Sequence, residues 1–212
     1  MFGAGSLAIS VAKLALENCG YHSIKFVVDN PTADLIFSEP AIAWHDFLQS
    51  KHLRDDFIIA VGYRDMEARK SVFERCHNAK LKIVNLVSNH AKIHSSVKLG
   101  VNNIFFDQAV AEHGVEIGNN NVIWTNAVLC HDTQIGNHNF FAAGAVIGGH
   151  CNISDCCFFG FNSVVKEKMN VSEHTLLGAL SYLNKDHVSH HTWVGAPAKP
   201  IKEHLDGLKI PR

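Results

Sequence analysis

The sequence has no run of about 18 or more apolar residues, and its N-terminus has no basic segment leading into an apolar stretch. The first absence excludes a membrane-spanning helix. The second gives no indication of a secretory signal peptide. We therefore expect a cytoplasmic protein.

Two further absences concern cysteine and charge. The six cysteines include no CxxC pair, so in a reducing compartment we expect small buried residues rather than disulfides or a zinc site. The formal net charge is −1, and no basic cluster suited to nucleic acid is present. Three tail histidines, His187, His190 and His191, lie in a stretch without a regular pattern, so we predict no metal site there.

An apolar residue recurs at every sixth position from Ile93 to Leu177. A small residue follows many of these positions four places later, and a glycine often follows one place later. A period of six fits neither a helix nor a long alternating strand, so each hexapeptide is predicted to be a short strand plus a corner. Three such units close a triangular coil of 18 residues, and about five coils follow. In this interpretation the apolar residue points into the prism, and the glycine supplies turn dihedral angles.

The repeat resembles that of the hexapeptide acyltransferases, whose pattern is aliphatic, Gly or Ala, two variable residues, a small residue and a variable residue. The resemblance covers roughly residues 87–183. It implies a left-handed parallel β-helix. A second match is "WVGAPAKPI" at residues 193–201, similar to the Gly-x-Pro-Ala-Lys segment that often follows the β-helix in this family.

The first 86 residues show a different pattern. Gly3, Gly5 and Ala8 match G-x-G-x-x-A ahead of an amphipathic helix, and the segments "IKFVVDN" and "DFIIAVGY" are predicted strands. A glycine turn at a helix N-terminus commonly holds a phosphate. Two interpretations stay open: an NAD-type fold in which Asp29 holds a ribose, or a small nucleotide-sugar module. The shortness of the segment favours the second.

The order of the parts resembles the bacterial sialic-acid O-acetyltransferases and nucleotide-aminosugar N-acetyltransferases. We accordingly expect a small N-terminal α/β domain, a Rossmann-like half, over residues 1–86, a left-handed β-helix over 87–183 and a tail over 184–212. The resemblance implies that Gly3, Gly5, Ser6 and Asp29 bind a nucleotide sugar. It also implies a role in cell-surface polysaccharide biosynthesis.

The stretch "HDTQIG" carries the predicted chemistry. His131 follows the inward residue Leu129 by two places, so it should project from a corner. In the resembling family a His-Glu or His-Asp pair before Ile-Gly holds the catalytic histidine, which implies that His131 is a general base for attack on acetyl-CoA. Asp132 either orients this ring or is an ordinary solvated residue. Gly149, one coil further along, is either an oxyanion donor or a glycine required by the corner.

The remaining expectations follow from the resemblance. Residues expected to bind acetyl-CoA are Ala143, Gly144, Ala145, Gly160, Gly178 and Ala179, with Lys199 or Lys202 near its phosphates. We expect a homotrimer with the active site between neighbouring helices. The predicted activity is direct N-acetylation of a nucleotide-linked amino sugar, without a metal or an acyl-enzyme. Alternatives are sugar O-acetylation, a non-catalytic nucleotide-sugar binding or scaffold protein, and an NAD-dependent enzyme.

Overall fold

The structure, a computed structural model, describes residues 1–32, 35–36, 39–185 and 189–210, and of Leu35 only the backbone. His187 lies outside the described residues. No helix within the described part of the chain has both the length and the apolar character needed to cross a membrane.

The N-terminal region consists of short strands flanked by helices. The helices are α1 (Ser6–Asn18), α2 (Trp44–Leu48) and α3 (Met66–Asn78), with a 3₁₀ turn at Lys51–Arg54. The strands are β1 (Val27–Val28), β2 (Leu35–Ile36), β3 (Glu39–Pro40) and β4 (Ile42–Ala43). β1 pairs in parallel with β4, and Phe2 forms parallel bridges to Val27 and Ile59, whereas β2 and β3 form a small antiparallel pair. The predicted amphipathic helix is confirmed, because α1 starts directly after Gly5 and buries its apolar side.

A two-residue strand then recurs every six residues, and each strand pairs in parallel with the strands 18 residues before and after it. Val128, for example, pairs with Val110 and Val146. Three sheets result, which we name by strand number. The eight-stranded face contains β5 (Leu86–Val87), β8 (Ile104–Phe105), β11 (Val122–Ile123), β14 (Phe140–Phe141), β17 (Phe158–Phe159), β20 (Leu176–Leu177), β22 (His191–Val194) and β23 (Lys199–Glu203). The six-stranded face contains β6 (Lys92–Ile93), β9 (Val110–Ala111), β12 (Val128–Leu129), β15 (Val146–Ile147), β18 (Val164–Val165) and β21 (Tyr182–Leu183). The five-stranded face contains β7 (Lys98–Leu99), β10 (Glu116–Ile117), β13 (Gln134–Ile135), β16 (Asn152–Ile153) and β19 (Asn170–Val171).

The interior of this prism is the predicted apolar column. All inward residues from Phe105 to Leu177 are buried, whereas Ile93 and Leu99 at the open first end are only partly buried. The small residues four places later are buried as well, Ala127 and Thr133 among them. Equivalent residues of successive coils stack on one another. The rings of Phe141 and Phe159, for example, lie parallel with centroids 4.8 Å apart. The hexapeptide register and the parallel β-helix are therefore confirmed, and they fit the left-handed form.

The predicted role of the glycines was wrong. The left-handed backbone conformation occurs three places after each inward residue from Leu99 to Leu177, at every sixth residue from Asn102 to Leu180. Asn, Asp, His or Gly occupy most of these positions, and these residue types tolerate positive φ better than others. The glycines one place after the inward residue serve close stacking instead. A Cβ on Gly118 would lie 2.7 Å from the Gly136 carbonyl oxygen, and one on Gly160 would lie 2.5 Å from the Ala179 nitrogen.

The N-terminal region packs on the outer side of the eight-stranded face. Its helix α1 shares one apolar cluster with the outward residues Ile104, Val122 and Phe140. Buried polar contacts add to this junction. The Asn102 side chain bonds both the N–H and the carbonyl of Ile59, at 2.7 and 3.0 Å, and the fully buried Arg69 donates to the carbonyls of Val61 and Asn120.

The strand Leu86–Val87 spans the expected boundary between residues 86 and 87, and the three-part division of the chain stays a prediction. At the other end the tail is more regular than expected. β22 pairs in parallel with β20 and in antiparallel fashion with β23, so the chain after residue 190 extends the eight-stranded face.

A ladder of buried asparagines stabilises one corner of the prism. Asn121 donates to Asn103 Oδ1 and to the Gly136 carbonyl, both at 3.0 Å, and accepts the Asn139 N–H at 2.8 Å. Replacing Asn121 with alanine leaves buried backbone groups unpaired, so we expect a loss of about 1–3 kcal/mol in the free energy of unfolding. Urea denaturation measures it. The matched control is Asn152→Ala on the exposed five-stranded face, where a similar loss would contradict the importance of burial.

Candidate active site

His131 lies on the corner between the six-stranded and five-stranded faces. We call this corner the histidine edge, formed by residues 94–97, 112–115, 130–133, 148–151 and 166–169. The turn that follows β12 turns the half-buried His131 side chain outward, as its spacing from Leu129 predicted. Its backbone N–H donates to Glu112 Oε2 at 2.8 Å. This bond ties the residue to the preceding coil.

Asp132 faces the His131 ring. The two residues belong to a turn rather than a strand, and Asp132 has a φ of 56°, which brings its carboxylate back toward the preceding residue. Its Oδ2 lies 3.0 Å from His131 Nδ1. This hydrogen bond lowers the pKa of the Asp132 carboxyl group below its ordinary value, and the nearby His150 and His113 act in the same direction. The carboxylate is thus ionised at neutral pH and able to orient the imidazole.

Gly149 lies directly against the same ring, one coil further along. A Cβ built on Gly149 would be 2.8 Å from both Cε1 and Nε2 of His131. Within the described part of the chain no residue accepts a hydrogen bond from the Gly149 N–H. The position therefore has a steric reason to be glycine, namely the space that the imidazole occupies, and the residue is buried beneath that ring.

Two further histidines border His131, and neither was predicted as a site residue. The ring of His113 lies parallel to it at 5.4 Å, and the ring of His150 lies edge-on at 5.0 Å. Stepping 18 residues back from His131 would have found His113. His138, by contrast, is buried at another corner against Phe73, and burial lowers its pKa to about 4.

Six of the residues predicted to bind acetyl-CoA lie on a different corner, between the eight-stranded and six-stranded faces. We call it the glycine edge, formed by residues 88–91, 106–109, 124–127, 142–145, 160–163 and 178–181. Ala143, Gly144, Gly178 and Ala179 are accessible there. The side chain of Ala145 points into the apolar interior, and Gly160 is buried beneath Ala179. Lys199 and Lys202 are both exposed on β23.

The predicted nucleotide-sugar residues lie at the ends of neighbouring parallel strands in the N-terminal region. Gly3 has a φ of 118°, and a Cβ there would meet the Ala60 carbonyl oxygen at 2.7 Å. Gly5 caps α1 with no side-chain hydrogen bond and with open space around it, and Ser6 is exposed. Asp29 is already engaged, because its Oδ1 accepts a hydrogen bond from Arg75 at 2.7 Å.

The His131 site, the predicted acetyl-CoA residues and the predicted nucleotide-sugar residues do not come together at one place within one chain. The N-terminal region covers the eight-stranded face, and on a triangular prism the histidine edge lies opposite that face. The whole six-stranded face separates the histidine edge from the glycine edge. A site that uses all three groups therefore needs more than one chain.

A cavity of about 580 Å³ also lies in the N-terminal region, lined by both apolar and charged residues, including Met1, Tyr21, Lys25 and Asp56. None of the predicted site residues lines it. Partial burial raises the pKa of Tyr21 to about 12, and the hydrogen bond to Asp56 adds to this effect.

The repeat matches a known family model over part of the chain. Residues 114–149 match the model of the bacterial transferase hexapeptide family, described as six repeats. A search of curated protein sequences finds no match to the chain.

Solved structures extend the likeness to nearly the whole chain. The acetyltransferase domain of PglB from Neisseria gonorrhoeae is 23% identical with a TM-score of 0.85, over 94% of this chain and 97% of that one. PerB from Caulobacter crescentus, solved with CoA and GDP-perosamine, is 21% identical with a TM-score of 0.86, over 95% of each chain. WeeI from Acinetobacter baumannii is 19% identical with a TM-score of 0.86, over 94% of this chain and 97% of that one. The chain thus has the fold of these proteins.

The contact between Gly149 and the imidazole gives a direct test of the site's construction. In Gly149→Ala the new methyl group cannot share the space of the His131 ring, so we expect the ring to move and its 3.0 Å contact with Asp132 to be lost. A crystal structure of the variant measures this. Gly62→Ala is the control, because open space surrounds Gly62. An unmoved His131 ring in Gly149→Ala would contradict the steric explanation.

Proposed function

We propose that the protein is an acetyl-CoA-dependent N-acetyltransferase that acts on a nucleotide-linked amino sugar. The observation that carries the proposal is the His131 imidazole, held by the Asp132 carboxylate on the corner of a hexapeptide β-helix, with the Gly149 backbone beside it. The likeness to PglB, solved with acetyl coenzyme A, and to PerB, solved with CoA and GDP-perosamine, supports the choice of donor and acceptor class.

The chemistry requires a base and a site for negative charge. The sugar amine attacks the thioester carbonyl carbon, the C–S bond breaks, and CoA leaves as the thiol. In the proposed mechanism His131 removes a proton from the attacking amine, Asp132 stabilises the imidazolium that forms, and this imidazolium returns the proton to the departing CoA thiolate. The Gly149 N–H stabilises the oxyanion of the tetrahedral intermediate, a contribution typically worth about 3 kcal/mol.

The charges around His131 favour an amine over a hydroxyl acceptor. Two carboxylates, those of Glu112 and Asp132, lie next to the histidine. An amino sugar approaches as an ammonium ion near neutral pH, and this negative environment attracts it. O-acetylation of a sugar such as a sialic acid remains the second candidate because it uses the same base and donor. A non-catalytic binding or scaffold protein would need no such base.

We propose that the N-terminal region is a Rossmann-like half-domain that holds the nucleotide. Parallel strands bring Gly3, Gly5 and Asp29 to one edge, and the first turn of α1 starts there without a side-chain cap. An uncapped helix N-terminus presents free N–H groups to a diphosphate. The Arg75 contact would have to open before Asp29 could bind a ribose.

We propose a homotrimer in which neighbouring chains complete the site. From β9 to β21 the outward residues of the six-stranded face form a partly exposed apolar row, Val110, Val128, Val146, Val164 and Tyr182. Those of the five-stranded face are polar, and the outward residues of the eight-stranded face are covered from β5 to β17. The glycine edge beside the valine row also exposes Phe161 and Leu180, by 57% and 74%. In the proposed trimer the valine row packs against a second chain, whose glycine edge would deliver acetyl-CoA to His131.

The base assignment predicts a loss of rate without a loss of donor binding. We expect His131→Ala to reduce the rate of CoA thiol release by at least about 100-fold, because a general base typically contributes that much. Calorimetry should show unchanged acetyl-CoA affinity, since the donor residues lie on the glycine edge. His22→Ala, an exposed histidine of the N-terminal region, is the control. Unchanged thiol release in His131→Ala would disprove the mechanism, and no acetyl-CoA binding by the wild type would favour a non-catalytic protein or an NAD-dependent enzyme.

The interface assignment predicts a change of mass in solution. Val146→Glu places a charge in the centre of the valine row, where association would bury it, so we expect the trimer to dissociate. Size-exclusion chromatography with light scattering measures the mass. Asn152→Glu on the five-stranded face is the matched control and should stay trimeric. A monomeric wild type, or a trimeric Val146→Glu variant, would show that the six-stranded face is not the interface.

A further inference from the structure

Four imidazoles follow one another along the histidine edge. The ring centroids of His94 and His113 are 6.0 Å apart, those of His113 and His131 are 5.4 Å apart, and those of His131 and His150 are 5.0 Å apart. They come from four successive coils, so the stacking of the fold produces the row. General acid–base chemistry at His131 requires only one of these rings.

The Asp132 carboxylate lies within this row. Its Oδ2 is 3.0 Å from His131 Nδ1 and 3.9 Å from His150 Nε2. One ligand atom each from His113, His131 and Asp132 lie within 4.8 Å of one another. Two imidazole nitrogens and a carboxylate oxygen therefore lie in one small volume, and His150 borders it.

This donor set is that of a transition-metal ion. Zinc binds His nitrogen and Asp oxygen at about 2.0–2.2 Å, which places neighbouring ligand atoms of a tetrahedral site about 3.4 Å apart. The three side chains need to approach by little more than an ångström, and rotation about their side-chain bonds provides this because His113 and Asp132 are exposed and His131 is half-buried. Magnesium and calcium prefer oxygen ligands and fit this site less well.

We propose that the histidine edge binds one Zn²⁺ ion through His113, His131 and Asp132, with His150 next to the open coordination position. The bound ion is coordinated by a ring nitrogen of His131, so the imidazole is no longer free to act as the base. Zinc therefore inhibits the enzyme reversibly. The inhibition rests on the proposed function, whereas the binding does not. The free ring thus serves catalysis, and the metal-bound ring is inactive.

The direct experiment measures binding without substrate. The full chain without an affinity tag is freed of metal by a chelator and titrated with ZnCl₂ by calorimetry. We expect one ion per chain at the histidine edge and at least about tenfold weaker binding in His113→Gln, because even the loss of an outer-shell partner costs tenfold or more. His22→Gln is the matched control and should bind zinc as the wild type does. Absence of saturable binding, or equal affinity in His113→Gln, would overturn the site.

A second experiment tests the consequence for activity. Zinc at saturating concentration should abolish acetyl transfer by the wild type, and a chelator should restore it. His113→Gln should retain activity without zinc and require at least about tenfold more zinc for inhibition. If zinc bound at the histidine edge without inhibiting acetyl transfer, the proposal that His131 serves both as zinc ligand and as base would be wrong. If the wild type transfers no acetyl group at all, the proposed function fails, and the calorimetric result still decides the metal site.

Discussion

The structure depends on one constraint, the return of the chain over itself every 18 residues at the spacing of paired strands. Each strand residue within the stack pairs in register with its equivalent in the next coil, as Val110, Val128 and Val146 illustrate. Such stacking leaves room inside only for a filled apolar column and forces the corner residue into the left-handed conformation. It also excludes a Cβ where adjacent corners touch, as at Gly118.

The same constraint builds the candidate site. Equivalent corner positions lie directly over one another, so a histidine in one coil contacts whatever occupies that position in the next. His131 therefore has an imidazole on one side and the bare backbone of Gly149 on the other. The left-handed corner then turns the Asp132 carboxylate toward the ring. A repetitive scaffold thus produces an irregular chemical environment through only a few side chains.

The repeat and its inward column could be predicted from the sequence because an apolar residue stands at every sixth position from Ile93 to Leu177 and burial selects for it along the whole prism. The outward position of His131 followed from the same register. The orientation of Asp132 could not be inferred, since adjacent residues on a strand point apart and only the positive φ at the corner brings them together. The glycine role was misjudged because two different demands, close stacking and left-handed dihedral angles, fall on two different positions of the hexapeptide. The Arg69 and Asn102 contacts that join the two regions depend on tertiary packing, which no local pattern encodes.

The central claim is that this fold carries acetyl transfer to a sugar amine. Its most direct test is to incubate the full chain with acetyl-CoA and a panel of UDP-, dTDP- and GDP-linked 3-amino and 4-amino sugars, and to analyse the product by mass spectrometry and NMR. The account predicts that at least one acceptor gains an acetyl group in amide linkage, with one CoA thiol released per product. An ester product would assign the chain to O-acetylation, and no product with any acceptor would contradict the account.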